Sequence, residues 1–226
     1  MPWSTIHKPK PRPKTDLPGI INDRSHRTLI AGRAGSGKTQ LVLRLLKTVW
    51  RGCYSKIYIV SPTFVAQFEE VWSQLDSDGI EVHLQMDDQL IGLLHTKCIE
   101  HTKAKQDTLI LIDDCGEDLR RINPQAFNLF VSNIRHCRAS IVHLVQKITQ
   151  SPTCFRSNCD TIIAFGATSY IDREALWREL STVDRKTFFQ LFSKATDDRY
   201  AYMSCTISRQ GKLEFYNADF KTLVTI

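Results

Sequence analysis

The sequence predicts an α/β fold: a mostly parallel central sheet with helices on both faces, closed by a C-terminal β-hairpin. Three observations carry this. Short apolar runs alternate with helical patterns along most of the 226 residues. The runs are continuously apolar rather than alternating, as strands buried on both faces are. A glycine-rich segment joins the first run to the first helix, the position at which open parallel sheets bind anions.

Taken in order, Thr28-Leu29-Ile30-Ala31 reads as a buried strand, and Gln40 to Trp50 as the helix after the glycine loop. Lys56 to Val60 is the next strand, stopped by Ser61-Pro62. A helix is expected from about Val65 to Leu75, a short strand at Glu81 to Leu84, and a helix from Asp88 to about Lys103. Thr108 to Ile112 is the most apolar run and reads as a central strand ending in Asp113-Asp114. Pro124 to Ile134 is helical, while Ser140 to Val145 and Thr161 to Phe165 are strands. Helices over about 173–180 and 184–195 lead to a hairpin, Tyr200 to Ile207 and Lys212 to Tyr216, turning at Ser208-Arg209-Gln210-Gly211. Before all of this, residues 1–18 interleave Lys8, Lys10, Arg12 and Lys14 with prolines, which predicts an extended basic arm. That arm reads as a solvated tail or as a contact for nucleic acid or a neighbouring subunit. Residues 19–226 read as one domain, with about 196–226 as its hairpin extension.

Hydrophobic residues make up 42% and charged residues 24%, which excludes wholesale disorder. No stretch approaches the roughly 18 apolar residues that a membrane span needs, and no apolar signal core opens the chain. The expectation is a protein of a cytosolic or nuclear compartment, with its seven cysteines reduced and mostly buried. The net charge of +6 leans mildly towards a polyanionic partner. His95, Cys98 and His101, and the pair Cys154 and Cys159, lack the paired spacing of a structural zinc site.

Gly32-Arg33-Ala34-Gly35-Ser36-Gly37-Lys38-Thr39 fits the phosphate-loop pattern G-x-x-x-x-G-K-[ST], between a strand and a helix as its mechanism demands. Glycines let successive N–H groups curl around phosphate oxygens, and the following helix adds its positive end. Lys38 is expected on the β- and γ-phosphates and the Thr39 hydroxyl on Mg²⁺, which makes the chain a P-loop NTPase that takes ATP. Such a site needs a carboxylate at the end of a neighbouring strand. Asp113 meets that need as the metal-side residue, and Asp114 stands where a general base would polarise the attacking water, with Glu117 as its substitute. Gln146 ends the following strand and is placed to sense the γ-phosphate. A further strand between the two motifs is the layout of ring-forming ATPases.

The blocks GRAGSGKT (32–39), IYIVSPTF (57–64), LILIDDC (109–115) and NIRHCRASIVHLVQ (133–146) together resemble the genome-packaging ATPases of poxvirus-type and giant viruses, virophages and polinton-like elements, within the FtsK–HerA superfamily. The similarity spans about residues 25–166. It implies an ATP-driven motor that threads double-stranded DNA into a preformed capsid, acting at viral assembly sites in host cytoplasm or nucleus. It maps the family's acidic pair to Asp113 and Asp114, its strand-end glutamine to Gln146, and its Arg-His pair to Arg135-His136. The glycine often found before that pair is Ile134 here.

A neighbour's arginine can complete such a site, and Arg135 or Arg138 is the candidate, which would require a homo-oligomeric ring. Arg173, Arg178 and Arg185 read as solvated helix faces. Lys103, Lys105 and Lys147 read first as ordinary solvated surface lysines and second as candidates for DNA phosphates. The alternatives are a helicase or chromosome-segregation pump with the same core, a P-loop small-molecule kinase, and a nucleotide-gated scaffold.

Overall fold

A computed structural model describes residues 25–67, 72–75, 78–166, 169–180, 183–207, 213–219 and 221–225. The expected basic arm at 1–18 and the hairpin turn at 208–211 lie outside them. In chain order the elements are β1 (Arg27–Ala31), α1 (Lys38–Lys47), β2 (Lys56–Val60), β3 (Ile80–His83), α2 (Asp88–Lys103), β4 (Thr108–Asp113), α3 (Gly116–Arg121) and α4 (Pro124–Asn133). They continue with β5 (Ala139–Val145), α5 (Thr153–Arg156), β6 (Thr161–Phe165), α6 (Tyr170–Leu180), α7 (Arg185–Ala195), β7 (Tyr202–Ile207), β8 (Leu213–Tyr216) and β9 (Thr222–Thr225).

The strands form a nine-stranded sheet in the order β3-β2-β4-β5-β1-β6-β7-β8-β9. From β3 to β6 the pairings are parallel; β6–β7, β7–β8 and β8–β9 are antiparallel. All seven residues of β5 and all six of β4 are buried, as expected of strands covered on both faces. Alternate residues feed the two cores. Leu109, Leu111, Val142 and Leu144 pack with α1, Trp50 and Trp72, whereas Ile110, Ile112, Ile141 and Val145 pack with α2, α4, α6 and α7.

Local chemistry sets the helix ends. Asp87 Oδ1 accepts from Leu90 N at 2.7 Å and starts α2 on time; Asn123 caps α4 ahead of Pro124, and Asp184 caps α7. On α1, Leu41, Val42, Leu45 and Leu46 are buried while Gln40 and Arg44 face out, so burial of that stripe, at about 1.5–3 kcal/mol per side chain, holds the helix on the sheet. The seven thiols are free and six are buried.

Three readings are corrected. The helix expected from Val65 to Leu75 is, where described, a run of turns through 62–67 and one 3₁₀ turn at Trp72–Gln74. Val65 is 70% exposed, so no apolar stripe forms there, and a stacked Phe64–Trp72 pair at 5.6 Å anchors the segment instead. Short helices α3 and α5 and the strand β9 were not expected. The strand that separates the phosphate loop from Asp113 in space is β5, which Gln146 follows; β2 lies beyond β4.

Candidate active site

The parallel register brings three strand ends together. Asp113 pairs with Leu144 across β4 and β5, and Ala31 with Val145 across β1 and β5, so the loops after β1, β4 and β5 leave the sheet side by side. Gly32 N donates to Val145 O at 3.1 Å and ties the phosphate loop to the end of β5. A Cβ at Gly32 would stand 2.6 Å from Ser36 Oγ and 2.9 Å from Phe165 Cβ, so only glycine permits this closure. Gly37 caps α1 with φ 99°, a left-handed conformation that other residues rarely adopt. The loop thus ends by aiming the free N–H groups of α1 into the site.

Lys38 is buried and donates to Gly32 O at 2.7 Å and Arg33 O at 3.2 Å. Burial lowers its pKa, against the pull of Asp113 and Asp114. Asp113, 4% exposed at the end of β4, has its pKa pushed up to about 6, chiefly by burial, with Lys38 and the Thr39 hydrogen bond opposing. Thr39 Oγ1 donates to Asp113 Oδ2 at 3.4 Å. The ammonium and the carboxylate are two charges held out of water, an expensive arrangement that a charged ligand would relieve. Asp114 takes the left-handed region at φ 56°, and its Oδ1 accepts from Gln146 Nε2 at 3.0 Å. Ser36 Oγ is buried with no partner among the described residues.

Gly32 through Thr39, Asp113, Asp114 and Gln146 therefore meet at one sheet edge. Glu117 is exposed on α3 and paired with Arg120 at 2.7 Å. Arg135 lies in a 3₁₀ turn before β5, at the opposite edge, where its Nε donates to His136 Nε2 at 3.1 Å. Arg138 is committed to a bidentate pair with Asp107, at 3.2 and 2.6 Å. Arg173 and Arg185 are not simply solvated: their guanidinium groups sit 5.8 and 5.0 Å from the centre of the Phe189 ring, and Arg185 also pairs with Glu174. Lys103 and Lys105 are exposed at the edge opposite the phosphate loop, and Lys147 is exposed beside Gln146.

One residue was missed altogether. Gln150 Oε1 accepts from both Gln146 N (3.2 Å) and Lys147 N (2.9 Å), and so fixes the turn that presents Gln146. A glutamine five residues past a strand end carries no sequence signal for that role.

This sheet and this loop define a P-loop NTPase. A family model for the poxvirus A32 protein matches residues 20–207, and the chain belongs to that family of viral DNA-packaging ATPases. The resemblance read from the motif blocks is thereby borne out. The chain is 23% identical over 195 residues to uncharacterized protein 075L of Invertebrate iridescent virus 6, covering 83% of this chain and 73% of that one. Its fold is that of the genome packaging NTPase B204 of Sulfolobus turreted icosahedral virus 2. The AMP complex of that protein aligns with a TM-score of 0.62 at 15% identity, over 85% of this chain and 97% of that one. Its ATP-gammaS complex aligns with a TM-score of 0.61 over the same shares. No helix among the described residues is long and apolar enough to cross a membrane.

Proposed function

We propose that this ATPase hydrolyses Mg²⁺-bound ATP in a homo-oligomeric ring and uses the cycle to drive double-stranded DNA into a capsid at viral assembly sites. The supporting observation is the convergence of the phosphate loop, the acidic pair and the polar end of β5 on one sheet edge. Residues 19–226 act as one motor domain in this reading, with the stretch from about 196 as its C-terminal extension.

Thr39 Oγ1 and Asp113 Oδ2 are hard oxygen donors 3.4 Å apart, the set that Mg²⁺ takes alongside water and phosphate oxygens. Bound there, the ion would neutralise charge on the β- and γ-phosphates. Lys38 exchanges the carbonyls of Gly32 and Arg33 for phosphate oxygens. Asp114 accepts the proton of the attacking water, whose oxygen bonds to the γ-phosphorus as the bond to ADP breaks. Gln146, already on Asp114, orients that water and registers loss of the γ-phosphate. Arg135, exposed at the opposite edge, serves the site of the next subunit in the ring. The basic arm, Lys103, Lys105 and Lys147 are the candidates for DNA phosphates, and the partner of the assembled ring is a capsid component.

The test is ATP turnover with and without double-stranded DNA, paired with a mass measurement of the assembly. DNA-stimulated turnover by a multimer is expected. A monomer whose turnover ignores DNA, or one that transfers phosphate to a metabolite, would overturn the reading.

A further inference from the structure

Beside the phosphate loop lies a cavity of about 590 Å³, within the roughly 300–1,000 Å³ typical of small-molecule sites. It is lined by Gly35, Gly37, Lys38 and Thr39 at the phosphate-binding turn, by Arg44 of α1, and by Phe165, Tyr200 and Tyr202. Arg44 follows Lys38 by six residues, about 9 Å along the helix axis at 1.5 Å per residue. The cavity thus extends along α1 from the phosphate-binding turn, with the aromatic rings as one of its walls. We propose that it seats the ribose and nucleobase of the triphosphate, with the Tyr200 ring as the stacking surface for the base. This rests on the phosphate-loop reading above and extends it to residues outside every motif in the sequence.

Tyr200 is built for a ligand rather than for the core. It is 55% exposed, and its backbone is left-handed at φ 67°. A bulky residue in that region stores strain that persists only where the surroundings impose it. They do so here: Ala201 N donates to Asp198 O at 3.0 Å, and Gly166 N donates to Ala201 O at 3.2 Å. The enforced turn brings Tyr200 Cδ1 within 3.6 Å of the place a Cβ would occupy on Gly37, directly over the start of α1.

The ring also has one face already occupied. The Arg199 guanidinium stands 4.9 Å from its centre, a cation–π contact. Arg199 borders a second, smaller cavity of about 250 Å³ and is not on the wall of the larger one, whereas Tyr200 borders both. The ring is a partition, steadied by arginine on one side and offered to the larger cavity on the other. A purine in that cavity gains a π-face, and Arg44 supplies a cation along the same wall.

The experiment compares two probes, ATP and inorganic tripolyphosphate, titrated against the full chain. Tyr200→Ala should weaken ATP binding roughly tenfold to a hundredfold, the loss typical of a stacked base, and leave tripolyphosphate binding unchanged. Tyr200→Phe, which keeps the ring, should recover most of that affinity. Tyr200→Gly separates structure from recognition. Glycine takes the left-handed turn without strain, so its melting temperature should not fall, yet its ATP affinity should fall as in Tyr200→Ala. Native ATP affinity in Tyr200→Gly, or parallel loss of both probes in Tyr200→Ala, would overturn the proposal. Lys38→Ala reports on the underlying site: if it binds tripolyphosphate as the native chain does, the phosphate-loop reading fails, whatever Tyr200 does.

Discussion

At the edge of the sheet where the parallel strands begin, the buried and half-buried charged and polar side chains are paired. Arg27 holds Asp160 through Nε and a second guanidinium nitrogen, both at 3.1 Å, Arg138 grips Asp107, and both ring nitrogens of His26 have hydroxyl partners at 3.0 Å. At the edge where the same strands end, Lys38 turns back on its own loop, Asp113 is buried with one long hydrogen bond, Ser36 Oγ has no partner among the described residues, and Asp114 and Tyr200 hold left-handed backbones. The same strands serve both edges, so the contrast comes from the side chains and turns that each edge carries. One edge spends its charges on stability. The other keeps them for a ligand, in the way that functional sites retain strain and poorly satisfied groups.

The contrast predicts opposite outcomes for substitutions at the two edges. Lys38→Ala should remove at least roughly a hundredfold of turnover, since a preorganised cation facing developing charge is typically worth that much, while its melting temperature stays near native. Next in size is the acidic pair. Asp114→Asn should bind ATP with Mg²⁺ and stall at hydrolysis, whereas Asp113→Asn should lose metal-dependent binding; normal turnover in Asp114→Asn would move the base to Glu117. Asp113 also makes a pH prediction. Its pKa in the folded chain, about 6, lies above the ordinary aspartate value of 3.8, so between these values the folded state binds the extra proton. Stability of the nucleotide-free protein should therefore fall as pH rises through that window, by up to about 3 kcal/mol. Asp113→Asn should flatten this slope, read from denaturant melts at pH 4.5 to 7.

How far the sequence revealed this division depends on the kind of signal. β6 and α2 lie where the apolar runs and the Asp87 cap put them, because burial and capping are local and periodic. Asp113 was legible because an apolar strand pointed at it. α3 and α5 span six and four residues, too short for periodicity, and are held by tertiary contacts. The stretch from Val65 to Leu75 misled because its apolar count suits a helix while Val65 faces solvent. Gln150 and Tyr200 were invisible for a deeper reason. Each acts through a position in space, a turn pinned across four residues and a ring folded over Gly37, that no spacing in the chain encodes.

Arg135 tests whether the stable edge also works for a neighbour. Exposed, with its Nε on His136, it has no carboxylate partner among the hydrogen bonds described, unlike Arg138 and Arg27. Arg135→Ala should cut turnover by up to about 10³, the scale of an arginine finger, without weakening ATP binding. Mixing it with Lys38→Ala should restore partial activity, because some interfaces then pair an intact loop with an intact arginine. If subunits exchange and nothing returns, Arg135 does not act across an interface.

The last of these effects falls on Arg138, and it is purely structural. Asp107 is 4% exposed, and its carboxylate meets the Arg138 guanidinium through two hydrogen bonds. Arg138→Ala leaves that charge buried and alone, which typically costs about 3 kcal/mol and should appear as a lower denaturation midpoint. Any loss of turnover should vanish at temperatures where the variant is folded. Adding Asp107→Asn removes the stranded charge, so the double variant should be more stable than Arg138→Ala alone. Were Arg138→Ala instead to melt like the native chain and lose turnover, the arginine would be serving a nucleotide. The two edges would then not divide stability from catalysis as their pairing indicates.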